Sequence, residues 1–369
     1  MLRRCRPLLQ RKTSSRAVGF KQSKSKHKGA SSTALHRVDA EAAAAADYRT
    51  TPDDGGLVAD GNAPKAPARW TYSAAAGGGG AGGEEGSSMW RVAAQGLTIH
   101  PVAAGGFNVD AELYERTRPS YADDAVSLLL GPAPHRLQVL DLAAGTGKLS
   151  RKLLDHGVND LVCVEPVEKM LLELKKKMPN YIDCVAGLAD DLRAFDDESF
   201  DLVTVGQAFH WFANDSTLAE VRRVLRPGGR LGLIWNSEDA EEPWVAQLRK
   251  AYEVYDTGQR GDVPQYRKGL WKNAFTTPQA LRKFHSGESK FFTQMLSTTA
   301  EEIVGRVKSK SYIATLAASQ LADLEEELHG ILDAAVQRDE LSFDTTRPSD
   351  KEQCGEMPMK TEVFIATAI

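Results

Sequence analysis

The 369-residue chain has ordinary proportions for a folded protein, with 42% apolar and 26% charged residues. Its charge is unevenly spread: residues 1–38 carry eleven Lys and Arg and no acid, leaving 35 basic against 50 acidic side chains in the rest. An acidic body argues against a general nucleic-acid surface, and no stretch approaches the ~20 apolar residues that a membrane span requires. The four cysteines (Cys5, Cys163, Cys184, Cys354) share no close spacing, so neither a metal site nor a disulfide framework is expected. Cys163 and Cys184 lie in apolar runs and read as small core residues. The whole reads as a soluble chain of a reducing compartment.

Residues 1–38 have the Arg-, Ser- and Lys-rich, acid-free composition of a mitochondrial transit peptide. A basic tail or an upstream extension of the reading frame has the same composition, so the location is cytoplasmic, or mitochondrial if this leader targets. Residues 39–105, with "AEAAAAAD" and "SAAAGGGGAGGEEGSS", have too little apolar bulk to offset ordering entropy and read as a linker. The folded body is expected from about Gly106 to the end, as a core over 136–237 followed by a cap and last strands over 238–369. From residue 137 strands and helices alternate. "LQVLDL", "DLVCVEP", "YIDCVAG", "FDLVTVG" and "RLGLIWN" are apolar runs suited to strands covered on both faces. "GKLSRKLLDHG" is a helix closed by Gly157. "VEKMLLELKKKM" sets Val167, Met170, Leu171, Leu174 and Met178 on one helical face before Pro179. The alternation implies a doubly wound α/β sheet with right-handed crossovers.

In such sheets ligands sit outside the carboxyl ends of the strands, which directs attention to "VLDLAAGTGKLS" at 139–150. A P-loop is excluded twice: Leu149 follows Gly147-Lys148, and Leu142 stands at the first glycine position. A dinucleotide turn requires a third glycine, where this chain has Ser150. Asp141, on the strand just before the turn, repels a pyrophosphate and suits a ligand carrying a positive ammonium or sulfonium group. Taken alone, a G-x-G after a strand is equally a tight strand-to-helix turn.

"DLAAGTGK" resembles the first motif of class I S-adenosylmethionine-dependent methyltransferases of the type 11 domain, with Ala143 in the first glycine position. "GLADDLRAF", "DDESFDLV" and "EVRRVLRPGGRLGL" resemble the family's later segments, in order. "FNVDAELYERTRPSY" and "GQAFHWF" resemble the small-molecule methyltransferases near trans-aconitate and quinone-pathway methyltransferases. The resemblance implies a Rossmann-like seven-stranded sheet, mostly parallel with an antiparallel last strand, helices on both faces and a helical cap over the site. It implies S-adenosyl-L-methionine as cofactor, no metal, and a cofactor site of Tyr114, Arg118, Asp141, Ala143, Gly145, Gly147, Glu165, Pro166, Leu188, Ala189, Asp190 and Gln207. Asp141 would serve the methionine amino group and Glu165 the ribose hydroxyls, with adenine met by one of Leu188, Ala189 and Asp190. His210, Trp211 and Trp235 would form the acceptor pocket, His210 as base or as acceptor orienter. Trp211 also reads as buried bulk, and His210 as a satisfied structural histidine.

The expected reaction is in-line methyl transfer to a small-molecule acceptor, by carboxylate O-methylation or by quinone- or phenol-type C- or O-methylation, in a monomer or homodimer without a nucleic-acid partner. The alternative is a non-catalytic S-adenosylmethionine-binding subunit that regulates a partner. Met359 and Lys360 stand where relatives usually carry an aromatic and an arginine, a departure placed at the acceptor pocket.

Overall fold

A computed structural model describes residues 99–107, 110–256, 263–343 and 355–369. The basic leader, nearly all of the linker, Cys5 and Cys354 lie outside the described residues. The strands are β1 (Gln138–Leu142), β2 (Asp160–Val164), β3 (Asp183–Val185), β4 (Phe200–Gly206), β5 (Leu225–Glu238), β6 (Glu288–Thr298) and β7 (Gly355–Thr367). Among the described residues they form one seven-stranded sheet in the order β3-β2-β1-β4-β5-β7-β6. Strands β1 to β5 pair in parallel, and β7 runs antiparallel to both β5 and β6.

The apolar runs are continuous because both faces are covered. Val139, Leu161, Cys163, Leu202 and Ile234 pack on one side with α3 (Asp123–Leu130), α4 (Lys148–Asp155) and α5 (Glu168–Lys177). Leu140, Leu142, Val162, Val164, Val203, Val205, Leu231 and Leu233 pack on the other with α6 (Asp215–Val224). The apolar face expected for α5 is buried as read, Leu174 completely. Gly157, at φ 90°, follows α4, and its amide donates to the Leu154 carbonyl (2.9 Å).

A separate apolar cluster forms the cap. Trp244 and Leu248 of α7 (Pro243–Glu253) meet Ile303 and Val307 of α9 (Ala300–Lys308) and Leu324, Leu328 and Leu332 of α10 (Ala318–Gln337), with α8 (Pro278–Leu281) lying between α7 and β6 in the chain. Thr299 and Glu302 start α9 with a capping box. The described chain also reaches back past Gly106: α1 (Pro101–Phe107) precedes α2 (Ala111–Thr117) in a stretch read from composition as linker. Ile99, Ala103 and Phe107 recur every fourth residue, and all three line the ligand cleft, which supplies the burial that the glycine-rich sequence lacks.

Candidate active site

Strand order reverses between β1 and β4, and the turn after β1 opens into a cleft with about 900 Å³ of empty space. Three residues of the turn adopt positive φ: Ala143 (55°), Gly145 (59°) and Gly147 (84°). Gly147 is required twice over, since a Cβ there would lie 2.6 Å from Leu174 Cδ1 of α5. Ala143 is an L-residue held in the left-handed region, a conformation that a glycine adopts at less steric cost.

Asp141 is fully buried at the carboxyl end of β1. Ser150 Oγ donates to its Oδ2 (2.5 Å) and Thr204 Oγ1 to its Oδ1 (2.9 Å). Burial pushes its carboxyl up to about 6, outweighing the two hydroxyls. Glu165, just past β2, accepts the Gly145 amide on Oε2 and the Val167 amide on Oε1, both at 2.8 Å. Burial, aided by the charge of Asp141, pushes it up to about 7 against those amides. Among the described residues no Lys, Arg or His forms an ion pair with either acid. Two desolvated carboxylates lining one cleft without a basic partner form an acceptor set for a ligand that brings its own positive charge and hydroxyls.

Helices α1 and α2 roof the cleft. Tyr114 faces it, and the Arg118 guanidinium lies 5.2 Å from the Tyr114 ring centroid while its Nε donates to Ser309 Oγ (2.8 Å). Between them in sequence, Glu115 ties the roof to the turn. It accepts from Thr146 Oγ1 (2.5 Å) and pairs with Arg151 (2.6 Å), Lys177 (3.4 Å) and Lys148 (3.6 Å). Of the residues expected around the cofactor, Tyr114, Arg118, Asp141, Ala143, Gly145, Glu165, Pro166 and Gln207 line the cleft. Gly147 stands behind the turn against α5. Leu188, Ala189 and Asp190 lie outside the lining: Leu188 and Ala189 are buried, and Ala189 packs into the core under β4 and β5.

A second chamber, with about 690 Å³ of empty space, shares Phe107, Tyr114, Arg118, Gln207 and Trp211 with the first. His210 lines only this second chamber. Trp235 lies behind it, fully buried between Tyr266 (ring centroids 4.8 Å apart) and Trp271 (4.5 Å), and its Nε1–H donates to His210 Nδ1 (3.3 Å). Burial holds the imidazole down to about 3, so the ring is neutral, and the Trp235 bond places its proton on Nε2. The far wall is polar. Glu238, at the end of β5, accepts from Lys310 Nζ on Oε1 (3.1 Å) and from the Tyr252 hydroxyl on Oε2 (3.2 Å), while Arg306 Nε forms an ion pair with the same Oε1 at 3.1 Å without hydrogen-bond alignment. Burial alone would raise this acid, but Lys310 and Arg306 hold it well below the ordinary carboxylate range. Met359 is buried, with its Sδ 3.1 Å from the Arg306 guanidinium, while Lys360 pairs outward with Glu241.

Residues 140–233 match the family described as "Methyltransferase domain". An uncharacterized methyltransferase of Mycobacterium tuberculosis is 41% identical over 202 residues, which span 55% of this chain and 75% of that protein. The chain belongs to the S-adenosylmethionine-dependent methyltransferases. A methyltransferase-like protein of Schizosaccharomyces pombe is 36% identical over 171 residues, 46% of this chain and 64% of its own. A demethylmenaquinone methyltransferase of Beutenbergia cavernae is 41% identical over 127 residues, 34% of this methyltransferase and 50% of that enzyme.

The methyltransferase carries functional groups that its sequence did not single out. Ser150 holds Asp141 from the position where a dinucleotide turn has glycine, a polar residue on the buried side of α4. Glu115, Glu238 and Lys310 gave no such signal, because their partners come from other elements.

Proposed function

We propose that the first chamber holds S-adenosyl-L-methionine and that its methyl group passes to a small-molecule acceptor in the second. The observation that carries this reading is the wall common to the two chambers, Phe107, Tyr114, Arg118, Gln207 and Trp211, with two acids that have no basic partner on one side of it. When bound, the cofactor supplies a sulfonium methyl whose carbon–sulfur bond breaks as the bond to the acceptor forms, leaving S-adenosylhomocysteine. Glu165 in its ionised form accepts the ribose hydroxyls, and Asp141 faces the ammonium. Arg118, whose Nε is spent on Ser309, has its terminal N–H groups left for the methionine carboxylate. Neutral His210 presents Nε2–H to the acceptor and orients it; a ring that protonates only near pH 3 is a poor base. Alignment of the acceptor and exclusion of water beneath the α1–α2 roof supply the acceleration. The polar far wall favours a polar acceptor over the quinone-type one that the name of the B. cavernae relative suggests.

Calorimetric titration with S-adenosylmethionine, S-adenosylhomocysteine and NADH tests the reading. Saturable binding of the first two alone is expected. Asp141→Ala and Glu165→Ala each weaken it by about tenfold or more, whereas His210→Ala spares binding and lowers turnover. Unchanged affinity in both acid variants would sink this assignment.

A further inference from the structure

On the two-chamber reading above, the lining of the second chamber sets what its acceptor must carry. Its charged lining resolves into groups that are matched and one that is not. Arg249 pairs with Glu253 (2.8 Å), and Arg267 with Glu253 (3.1 Å) and Asp256, so these two guanidiniums have two acids. Lys268 reaches Asp256 only at 3.8 Å, is a quarter exposed and does not line the chamber. The tyrosines of the wall, Tyr252, Tyr266 and Tyr312, are all pushed up by burial and stay neutral. His210 is neutral as well.

Glu238 is different. One buried carboxylate serves both Arg306 and Lys310, and both approach the same oxygen, Oε1. Lys310 Nζ makes the hydrogen bond there, and the Arg306 Nε–H, fully buried, makes none. Even after Arg118 is allotted to the methionine carboxylate, this corner holds two cations for one acid. A buried cation without its own counter-charge is unfavourable, and burial pushes Lys310 down to about 8 although Glu238 touches it. Arg306 is locked behind the wall by Glu238 and Met359, whereas Lys310 lines the chamber, resting over the Tyr252 ring (4.4 Å).

We infer that the acceptor carries a carboxylate and that Lys310 is the residue that selects it, completing the unmatched charge beside Glu238. The shortfall is one negative charge. A carboxylate supplies one, a phosphate dianion overshoots, and a neutral phenol or quinone leaves the lysine unsatisfied. Lys310 is thus a specificity-determining residue, and Glu238 positions it.

The test uses the full chain with methyl-labelled S-adenosylmethionine and a small-molecule cell extract split by anion exchange, alongside mono- and dicarboxylic acids and their amides. Label is expected in the anion-retained fraction and in acids rather than amides. Lys310→Met should raise the acceptor KM by about tenfold to a hundredfold, leave S-adenosylhomocysteine affinity unchanged, and be rescued to within about threefold by Lys310→Arg. Unchanged S-adenosylhomocysteine affinity also shows that each variant is folded. Label confined to the unretained fraction, or an acceptor KM indifferent to Lys310→Met, overturns this inference and leaves methyl transfer standing. Label in no fraction overturns the methyl-transfer reading itself.

Discussion

The pH behaviour of the site falls to Glu165 rather than to His210. His210 was picked out by the resemblance of "GQAFHWF", but its environment was not legible there: its partner Trp235 comes from β5 and is itself packed between Tyr266 and Trp271 of a later segment. Its folded pKa of about 3 means that it does not titrate anywhere near neutrality. Glu165 does, at about 7, and its ionisation frees both oxygens to accept the hydroxyls proposed for it above. An acid limb near pH 7 in kcat/KM for S-adenosylmethionine is therefore expected to belong to Glu165. It persists in His210→Asn, with lower turnover, and is lost or displaced in Glu165→Gln. A limb that disappears with His210 instead would return the histidine to the role of base. Asp141 was legible for a simpler reason. An acid at the end of an apolar strand, just ahead of a G-x-G turn, has few purposes other than a ligand.

At the scale of elements, the sheet was legible because strands covered on both faces must be apolar throughout, and the periodic face of α5 because its partners all lie on one side. Helix α1 was not, since "PVAAGGF" has two glycines and a weak intrinsic preference for helix; it exists because Ile99, Ala103 and Phe107 find the cleft to cover. The grip on the roof was hidden for a related reason. Glu115 is one charge in "YERTR", and its partners Thr146, Lys148, Arg151 and Lys177 come from the turn, α4 and α5. The cluster is half-buried and holds Glu115 below its ordinary range through Thr146 and the three cations, against burial. Glu115→Gln keeps the shape and removes the charge. It is expected to cost about 1 kcal/mol in the grip on the roof, seen as a severalfold faster release of S-adenosylhomocysteine in stopped flow at nearly unchanged chain stability. An unchanged release rate would mean that the roof does not gate the cleft.

Taken whole, the methyltransferase buries two acids beside its cleft, and that has a consequence for its stability. Asp141 and Glu165 have folded pKa values of about 6 and about 7, above the ordinary values of 3.8 and 4.5 that the unfolded chain restores. A folded pKa raised in this way makes a contribution that is fully present below about pH 4 and lost as pH rises through 6 to 7, on the order of a few kcal/mol for the pair. The ligand-free chain is therefore expected to lose thermal stability across that window as its carboxyls are forced to ionise in place. A bound ligand that supplies an ammonium and ribose hydroxyls reverses the effect, because it binds the ionised acids and adds RT ln(1 + [L]/Kd) to stability. The shift in Tm produced by S-adenosylhomocysteine should consequently be small at pH 5.5 and grow by several degrees at pH 8 for a core of this size. Differential scanning at fixed ligand concentration reads this directly. Glu165→Gln, which cannot ionise, should be less sensitive to pH without ligand and should show a smaller, flatter ligand shift. A shift independent of pH would mean that the acids do not meet the ligand, and that the cleft's charge serves the fold alone.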